Sequence, residues 1–215
     1  MDAYISHLLQ EKDPFLSELR QSALSRNVPI VREDTASLIK VLVAEHKPRR
    51  VLETGTAVGY SAIMIAKARL AADRESPLNI DTVEISPDMV TEARHNIASA
   101  GLEDKINTIL GDAAEVLACL SGKYDLIFID SAKSQYAQMY DDIKRLLAPG
   151  GLLICDNVIF YGKIYDAPAD APHKHRTIVT NMRNFLERLT ADEEFNSAIL
   201  ETGDGVALAY YRGAL

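Results

Sequence analysis

From Arg50 to Asp156, short continuous apolar runs alternate with longer stretches whose apolar residues recur every three or four positions. The first kind of run, bounded by turn residues, predicts strands, and the second predicts amphipathic helices. Strands are predicted at 51–54, 80–84, 106–110, 124–130 and 152–156, with helices at 61–71, 87–100, 113–120 and 135–147. The second of these helices carries Met89, Ala93, Ile97 and Ala100 on one stripe, opened by Pro87 and closed by Gly101. The fourth carries Tyr136, Met139, Tyr140, Ile143, Leu146 and Leu147 and stops at Pro149-Gly150-Gly151. Leu126-Ile127-Phe128-Ile129 is apolar without a break, as a strand buried on both faces of a parallel sheet requires.

Beyond these lies a last helix with Ile178, Met182, Phe185, Leu186 and Leu189 on one side. Strand-like runs at 197–201 and 206–211 follow, joined by Thr202-Gly203-Asp204-Gly205, a turn short enough to demand an antiparallel hairpin. The first forty-odd residues read as helices. Leu38, Ile39, Leu42 and Val43 recur at helical spacing after a cap at Asp34 or Thr35, and Asn27-Val28-Pro29-Ile30 breaks the helical pattern before them. The expected fold is α/β, a doubly wound, mostly parallel seven-stranded sheet with an antiparallel C-terminal hairpin. One domain is expected over 1–215, with an N-terminal helical region at 1–48 and an α/β core at 49–215.

Composition changes this picture little: 47% hydrophobic and 25% charged residues suit a globular protein and argue against disorder. No apolar run is long enough to span a membrane, and the charges in MDAYISHLLQEKDPF leave no signal-peptide core, so a cytoplasmic protein is expected. Cys119 and Cys155 read as unbridged thiols. A net charge of −8 excludes a protein that coats nucleic acid non-specifically, yet leaves room for one local basic patch. Such a region lies between Gly162 and Arg188, where Lys163, Lys174, Arg176, Arg183 and Arg188 face three acidic residues, Asp166, Asp170 and Glu187. It reads equally as a solvated loop and helix face.

Ligands of open α/β sheets bind at the carboxyl ends of the strands. The first strand runs into Gly55-Thr56-Ala57-Val58-Gly59-Tyr60-Ser61, a turn that leads straight into a helix N-terminus. Gly59 is followed by Tyr60, not by the Lys-Ser/Thr of a P-loop, and the Gly55-x-x-x-Gly59 spacing misses the dinucleotide fingerprint. A cofactor with a carboxylate and an amine fits this loop better than a pyrophosphate. The second strand ends in Glu84, a carboxylate able to accept both hydroxyls of a ribose. The third ends in Gly111-Asp112-Ala113, where Asp112 either meets an adenine edge or caps the next helix.

The runs VLETGTAVGYSAIMIA, VEISPDMVTEARHNIASAGL and GDAAEVL resemble the S-adenosylmethionine site of class I methyltransferases, and in detail that of the catechol and caffeoyl-CoA O-methyltransferase family. The resemblance implies a Rossmann-like methyltransferase fold. It implies that Gly55, Tyr60 and Ser61 surround the methionine part of the cofactor, that Glu84 holds the ribose, and that Asp112 and Ala113 meet the adenine. Val31 matches a position that touches the cofactor through its backbone, and Asp130 is a further cofactor contact.

Asp130 ends the fourth strand and Asp156-Asn157 the fifth, so adjacent parallel strands would gather three oxygen-bearing side chains. Each alone reads as a strand-end turn. Together they offer hard ligands suited to Mg²⁺, or to Mn²⁺ or Ca²⁺, and no His or Cys cluster suggests zinc. The set Asp130…Lys133…Asp156-Asn157 resembles the metal-dependent members of the family, in which the lysine is the proposed general base; Lys133 could otherwise serve only as an ion-pair partner. A cation chelated by two neighbouring substrate oxygens lowers a hydroxyl pKa and aims the oxygen, which implies an acceptor with adjacent oxygens.

VPIVRE, GTAVGYSAI, IFIDSAKSQY, DNVIFYGKI and TGDGVAL are most similar to the bacterial tRNA 5-hydroxyuridine methyltransferases, over about Val28 to Tyr211. That similarity implies tRNA as substrate, 5-methoxyuridine as product and a homodimer, with Lys163, Lys174, Arg176 and Arg183 facing the RNA. A small catechol is the alternative acceptor, and a non-catalytic cofactor-binding module the alternative from another class.

Overall fold

The computed structural model describes residues 3–166 and 172–213; Met1 and Asp2 of the opening segment, and Asp170 and Ala171 of the basic loop, lie outside the described residues. Three helices come first: α1 (Ala3–Leu8), α2 (Pro14–Ser25) and α3 (Glu33–His46). Asp13 starts α2 by accepting the Leu16 N–H, with proline at the first helical position, so cap and fixed φ coincide. The expected break follows at Asn27, which takes a left-handed φ of 57°. The expected cap of α3 at Asp34 or Thr35 is corrected: Arg32 occupies the cap position without a side-chain bond. Glu33 and Asp34 instead stand inside the first turn, where their charges face the unpaired N–H end of the helix. Its buried side is Thr35, Ala36, Ile39 and Val43, leaving Leu38 and Leu42 half-buried at its margin.

The alternation then proceeds through β1 (Arg50–Thr54), α4 (Tyr60–Ala72), β2 (Asn79–Glu84), α5 (Pro87–Ser99), β3 (Ile106–Leu110), α6 (Ala113–Cys119) and β4 (Tyr124–Ile129). It continues through α7 (Tyr136–Leu146), β5 (Leu147–Asp156), α8 (Arg176–Ala191), β6 (Phe195–Leu200) and β7 (Val206–Tyr211). The chain divides into two compact units, 1–112 and 113–215. The mixed seven-stranded sheet has the order β3-β2-β1 over the first unit and β4-β5-β7-β6 over the second. The strands of the first unit are parallel, with Ile80 opposite both Val51 and Ile106. In the second, β4 and β5 are parallel while β7 runs antiparallel to both β5 and β6, as the short 202–205 turn demands.

Three expectations shift. β5 starts at Leu147, not at 152, because Leu147 pairs with Tyr124 before the chain bulges and resumes with Leu152 opposite Leu126. Gly151 permits that bulge: a Cβ there would lie 2.7 Å from the Ala148 carbonyl oxygen. On α5 the buried stripe is Val90, Ala93 and Ile97, with Met89 and Ala100 half-buried, and on α8 Val179 replaces Ile178. Adjacent apolar residues are nearly equivalent at a 3.6-residue period until packing chooses between them. Both cysteines are free thiols, and among the described residues no helix is long and apolar enough to cross a membrane.

The helix α4 buries almost everything from Tyr60 to Ala66, and with it the charged Arg69. The Arg69 guanidinium donates to the Pro48 carbonyl at 2.7 Å and to the Asp73 carbonyl, and lies 3.4 Å from the Asp73 carboxylate. It therefore ties the approach to β1 to the far end of α4. Replacing it leaves one buried and one part-buried carbonyl without this donor, which is where large destabilisations originate. Arg69→Met is expected to lose about 2–4 kcal/mol, read as a melting temperature lowered by roughly 5–15 °C; an unchanged midpoint would show these bonds contribute nothing.

Candidate active site

In the first unit, five residues turn the chain from β1 into α4. Gly59 caps the helix at φ 85°, with Ala93 only 3.5 Å from where a Cβ would stand. The Gly55 and Thr56 N–H groups both donate to the Val83 carbonyl, at 2.9 and 3.3 Å, and Gly59 N–H donates to Thr56 at 2.8 Å. Asn96 reaches over from α5 to donate to the Val58 carbonyl at 2.9 Å. Beneath the turn, the Thr56 and Thr82 hydroxyls meet at 2.6 Å, and Thr82 donates to the buried Glu53 carboxylate at 2.5 Å. The loop is thus fixed before any ligand arrives.

Glu84 at the end of β2 is part of that construction. One carboxylate oxygen accepts the Ala57 N–H and the other the Ser86 N–H, both at 2.9 Å. Each oxygen keeps lone-pair capacity, so the side chain can still accept ribose hydroxyls. Tyr60 and Ser61 are buried at the start of α4, and Val31 is buried ahead of α3. Asp112 is half-buried after β3, and Ala113 is buried at the first position of α6.

In the second unit, Ile129 of β4 stands opposite Cys155 of β5, so the register delivers Asp130 and Asp156 to neighbouring strand ends. Asp156 is 1% exposed. Its Oδ1 accepts the Asn157 N–H at 2.8 Å, while its Oδ2 has no hydrogen-bond partner among the described residues. Burial first, and the Asp130 charge second, push its carboxyl up to about 7. Lys133 donates to Asp130 Oδ1 at 2.8 Å. The Tyr136 hydroxyl lies 3.0 Å from both the Ile129 and the Asp156 carbonyl oxygens, pinning the two strand ends together. Sequence reading took Tyr136 only as part of an apolar stripe; a buried phenol needs a polar partner, and that was the available signal.

Asn157 follows in the left-handed region at φ 59°, a conformation that asparagine tolerates better than most residues. The turn at 202–205 holds the chain beyond it. Val158 and Ile159 donate to the Gly205 and Asp204 carbonyls at 3.0 and 2.9 Å, and Tyr161 N–H donates to the Asp204 carboxylate at 2.6 Å. Gly205 is required there, since a Cβ would fall 2.3 Å from the Ile159 side chain. Sequence reading took this turn as a hairpin and as part of a family motif, and gave Asp204 no role of its own.

The donor set fits a hard divalent cation. It contains two carboxylates at adjoining strand ends, a neighbouring amide and one buried oxygen that lacks a partner, with like-charge repulsion that Lys133 only partly offsets. Among the described residues no three His, Cys, Asp or Glu side chains cluster as metal ligands.

The basic segment is less open than its sequence suggests. The Arg183 guanidinium is engaged with the Ile164 and Asp166 carbonyls at 3.2 and 3.1 Å, and the Lys163 ammonium stands 4.8 Å from the Phe160 ring centre and 5.2 Å from that of Tyr161. Lys174 and Arg176 are exposed. The His175 ring packs edge-on against Phe160 at 5.3 Å, so the basic turn adjoins a segment whose Tyr161 and Tyr165 are exposed. Desolvation, then the charges of Lys163 and Lys174, lower the His175 pKa.

Similarity to known proteins agrees with this layout. The family model for O-methyltransferases matches residues 6–212. A catechol O-methyltransferase of Niastella koreensis is 31% identical, covering 97% of this chain and 95% of the relative. The Streptomyces achromogenes O-methyltransferase TomG, involved in tomaymycin synthesis and solved with SAM, superposes with a TM-score of 0.83 at 27% identity, covering 99% of this chain and 96% of the other. An O-methyltransferase from Bacillus cereus, solved with SAH, gives 0.82 at 27% identity over 98% and 96%. The chain therefore belongs to the O-methyltransferase family, and is an enzyme that transfers a methyl group to oxygen.

Proposed function

We propose that this enzyme moves the methyl group of S-adenosylmethionine to one of two adjacent oxygens of its acceptor, with a divalent cation held by Asp130, Asp156 and Asn157. The observation that carries the proposal is the buried Asp156 oxygen with no partner beside a second carboxylate. A divalent cation, when bound, lowers the pKa of an acceptor hydroxyl and fixes the direction of its oxygen. On the donor side, Glu84 accepts the ribose hydroxyls, Asp112 and Ala113 meet the adenine edge, and Gly55, Tyr60, Ser61 and the Val31 backbone surround the methionine end, with Asp130 as a further contact. At the acceptor, Lys133 Nζ takes the hydroxyl proton as the neutral amine, which requires prior loss of the ammonium proton now shared with Asp130, a loss that the charge of a bound cation favours. In the in-line displacement that follows, the oxygen–methyl bond forms as the sulfur–methyl bond breaks, and the sulfonium becomes a neutral thioether. Opposite charges are consumed together, so alignment and oxyanion supply are what the protein must contribute.

A small catechol is the acceptor best supported, because the Niastella koreensis relative that matches almost end to end is a catechol O-methyltransferase and the site demands little beyond vicinal oxygens. A second reading, 5-hydroxyuridine of tRNA, is supported by the exposed Lys174 and Arg176 beside exposed Tyr161 and Tyr165, since cations interleaved with aromatic rings suit a single-stranded nucleic acid. Both acceptors present two neighbouring oxygens. A homodimer is the expected assembly, to be checked by light scattering.

With labelled S-adenosylmethionine, catechol is expected to be methylated in Mg²⁺ and not after chelation, with a rate that barely responds to salt. Activity on tRNA carrying 5-hydroxyuridine would instead fall steeply between 50 and about 200 mM salt; methylation of catechol that persists without metal would remove the cation from the scheme. Asp156→Asn is expected to lower turnover at least about 100-fold while leaving the affinity for S-adenosylhomocysteine within about threefold. The same substitution bears on stability. A carboxyl whose pKa is raised by folding favours the native state at low pH and loses that advantage as pH climbs from about 4 through about 7. Metal-free Asp156→Asn is therefore expected to be more stable than the native protein at pH 8, by on the order of 2 kcal/mol, and no more stable at pH 4. A variant less stable at pH 8 would mean the charge is already compensated.

A further inference from the structure

The first unit contains a set of buried polar contacts that the chemistry above leaves unused. Arg20 of α2 is 11% exposed at its side chain. Its Nη1 donates to the Val31 carbonyl at 2.8 Å, its guanidinium carbon stands 5.5 Å from the Tyr60 ring centre, and its Nε lies 3.6 Å from Glu33. The phenol of Tyr60 is held from its other end. Its hydroxyl donates to Glu11 Oε2 at 2.9 Å, and the same oxygen receives Lys40 Nζ at 2.5 Å. Glu11 Oε1 accepts the Lys12 and Asp13 N–H groups, and the side chain is only 5% exposed. Two residues on, Asp13 receives Lys67 Nζ at 2.6 Å, so the segment grips α4 at its first residue and again two turns later.

Apolar contact alone would hold α2 against α4, and burying ionised groups to do so carries a desolvation cost that an apolar contact avoids. What directional bonds add is orientation. Arg20 fixes a carbonyl and a ring face with one rigid planar group, as the guanidinium geometry allows and a lysine ammonium does not. Both groups it fixes, Val31 and Tyr60, belong to the donor set proposed above.

We propose that Arg20 and Glu11 are positioning residues of the methyl-donor site: Arg20 sets the Val31 carbonyl and the Tyr60 ring together, and Glu11 anchors the phenol. The inference rests on the donor assignment of Val31 and Tyr60. It makes the N-terminal segment from Glu11 to Val31 a working part of donor binding, with donor affinity sensitive to residues that reach the ligand only through others.

The test uses the full chain and S-adenosylhomocysteine as probe, with its dissociation constant from titration calorimetry and the melting temperature of the ligand-free protein. Arg20→Met keeps the apolar stem and removes every donor; the dissociation constant is expected to rise at least tenfold in protein still folded at the assay temperature. Arg20→Lys recovers part of that affinity. Glu11→Gln weakens binding severalfold in the native background and has no further effect once Tyr60→Phe has removed the hydroxyl, a pattern that a purely structural role would not produce. Native affinity in Arg20→Met together with lost binding in Glu84→Gln overturns the proposal and leaves the donor assignment standing. Native affinity in both overturns the donor assignment itself. Should Arg20→Met fail to fold, Arg20→Lys decides: weakened binding supports the proposal, and native affinity ends it.

Discussion

Two carboxylates, one buried and one half-buried, stand at the ends of adjacent parallel strands and repel each other, and the surrounding second unit holds them there. The pairing of Ile129 with Cys155 leaves Asp130 and Asp156 no other place. Nothing in the pairing relieves the repulsion, so the surroundings must hold the geometry. Tyr136 bridges the two strand ends, Lys133 neutralises Asp130, and the 202–205 turn grips the chain just beyond Asn157. Three non-glycine residues in that following segment, Asn157, Phe160 and Tyr161, take left-handed φ angles. Such conformations cost of order 1–3 kcal/mol each and persist only where the surroundings over-determine them. Here the Asp204 carboxylate and the missing Cβ of Gly205 do so.

The first unit solves a different problem with different means. Its turn between β1 and α4 must present backbone N–H groups without moving, and it is stiffened mainly by neutral hydrogen bonds beneath it and by Glu84 at its flank. Charge enters from outside, through Glu11, Arg20 and Lys40, at the one aromatic ring of the loop. Rigid loops lower the reorganisation required when a ligand binds. Under the proposed function, the donor end would thereby be prepared by backbone geometry and the acceptor end by confined charge.

The parts of this arrangement that depend on local pattern were legible in the sequence. Uninterrupted Leu126–Ile129, the alternation of runs from Arg50 onward, and the short turn before Val206 led directly to the sheet and its antiparallel end. The candidate residues at the strand ends were equally visible, because ligands of open α/β sheets in general bind at the carboxyl ends of the strands. What escaped depends on partners far away in sequence. The Tyr136 hydroxyl needs a carbonyl twenty residues on, Asp204 serves a backbone N–H at Tyr161, and Arg20 serves Val31 and Tyr60. Each read as an ordinary core, turn or surface residue. The same applies on a smaller scale to the early start of β5, which only the pairing of Leu147 with Tyr124 explains, and to the choice of Val90 over Met89.

Selectivity for the acceptor has to arise outside the acidic pair. A chelating site recognises any two adjacent oxygens, so it distinguishes acceptors from non-acceptors and not one acceptor from another. Under the proposed function, discrimination would fall to side chains beyond that pair, and the described residues 160–166 and 172–176 are the candidates. There the cations are not equivalent: Arg183 is spent on the loop's own carbonyls and Lys163 lies against two rings, whereas Lys174 and Arg176 are exposed. Two exposed cations give a shallow electrostatic gradient for a polyanion, since salt-sensitive affinity scales with the number of phosphates neutralised. Exposed tyrosine faces, by contrast, favour any flat ring, whether it belongs to a catechol or to a base. Under the proposed function, these exposed rings would suit a planar aromatic acceptor, and a nucleic acid would have to be held largely by the base it offers.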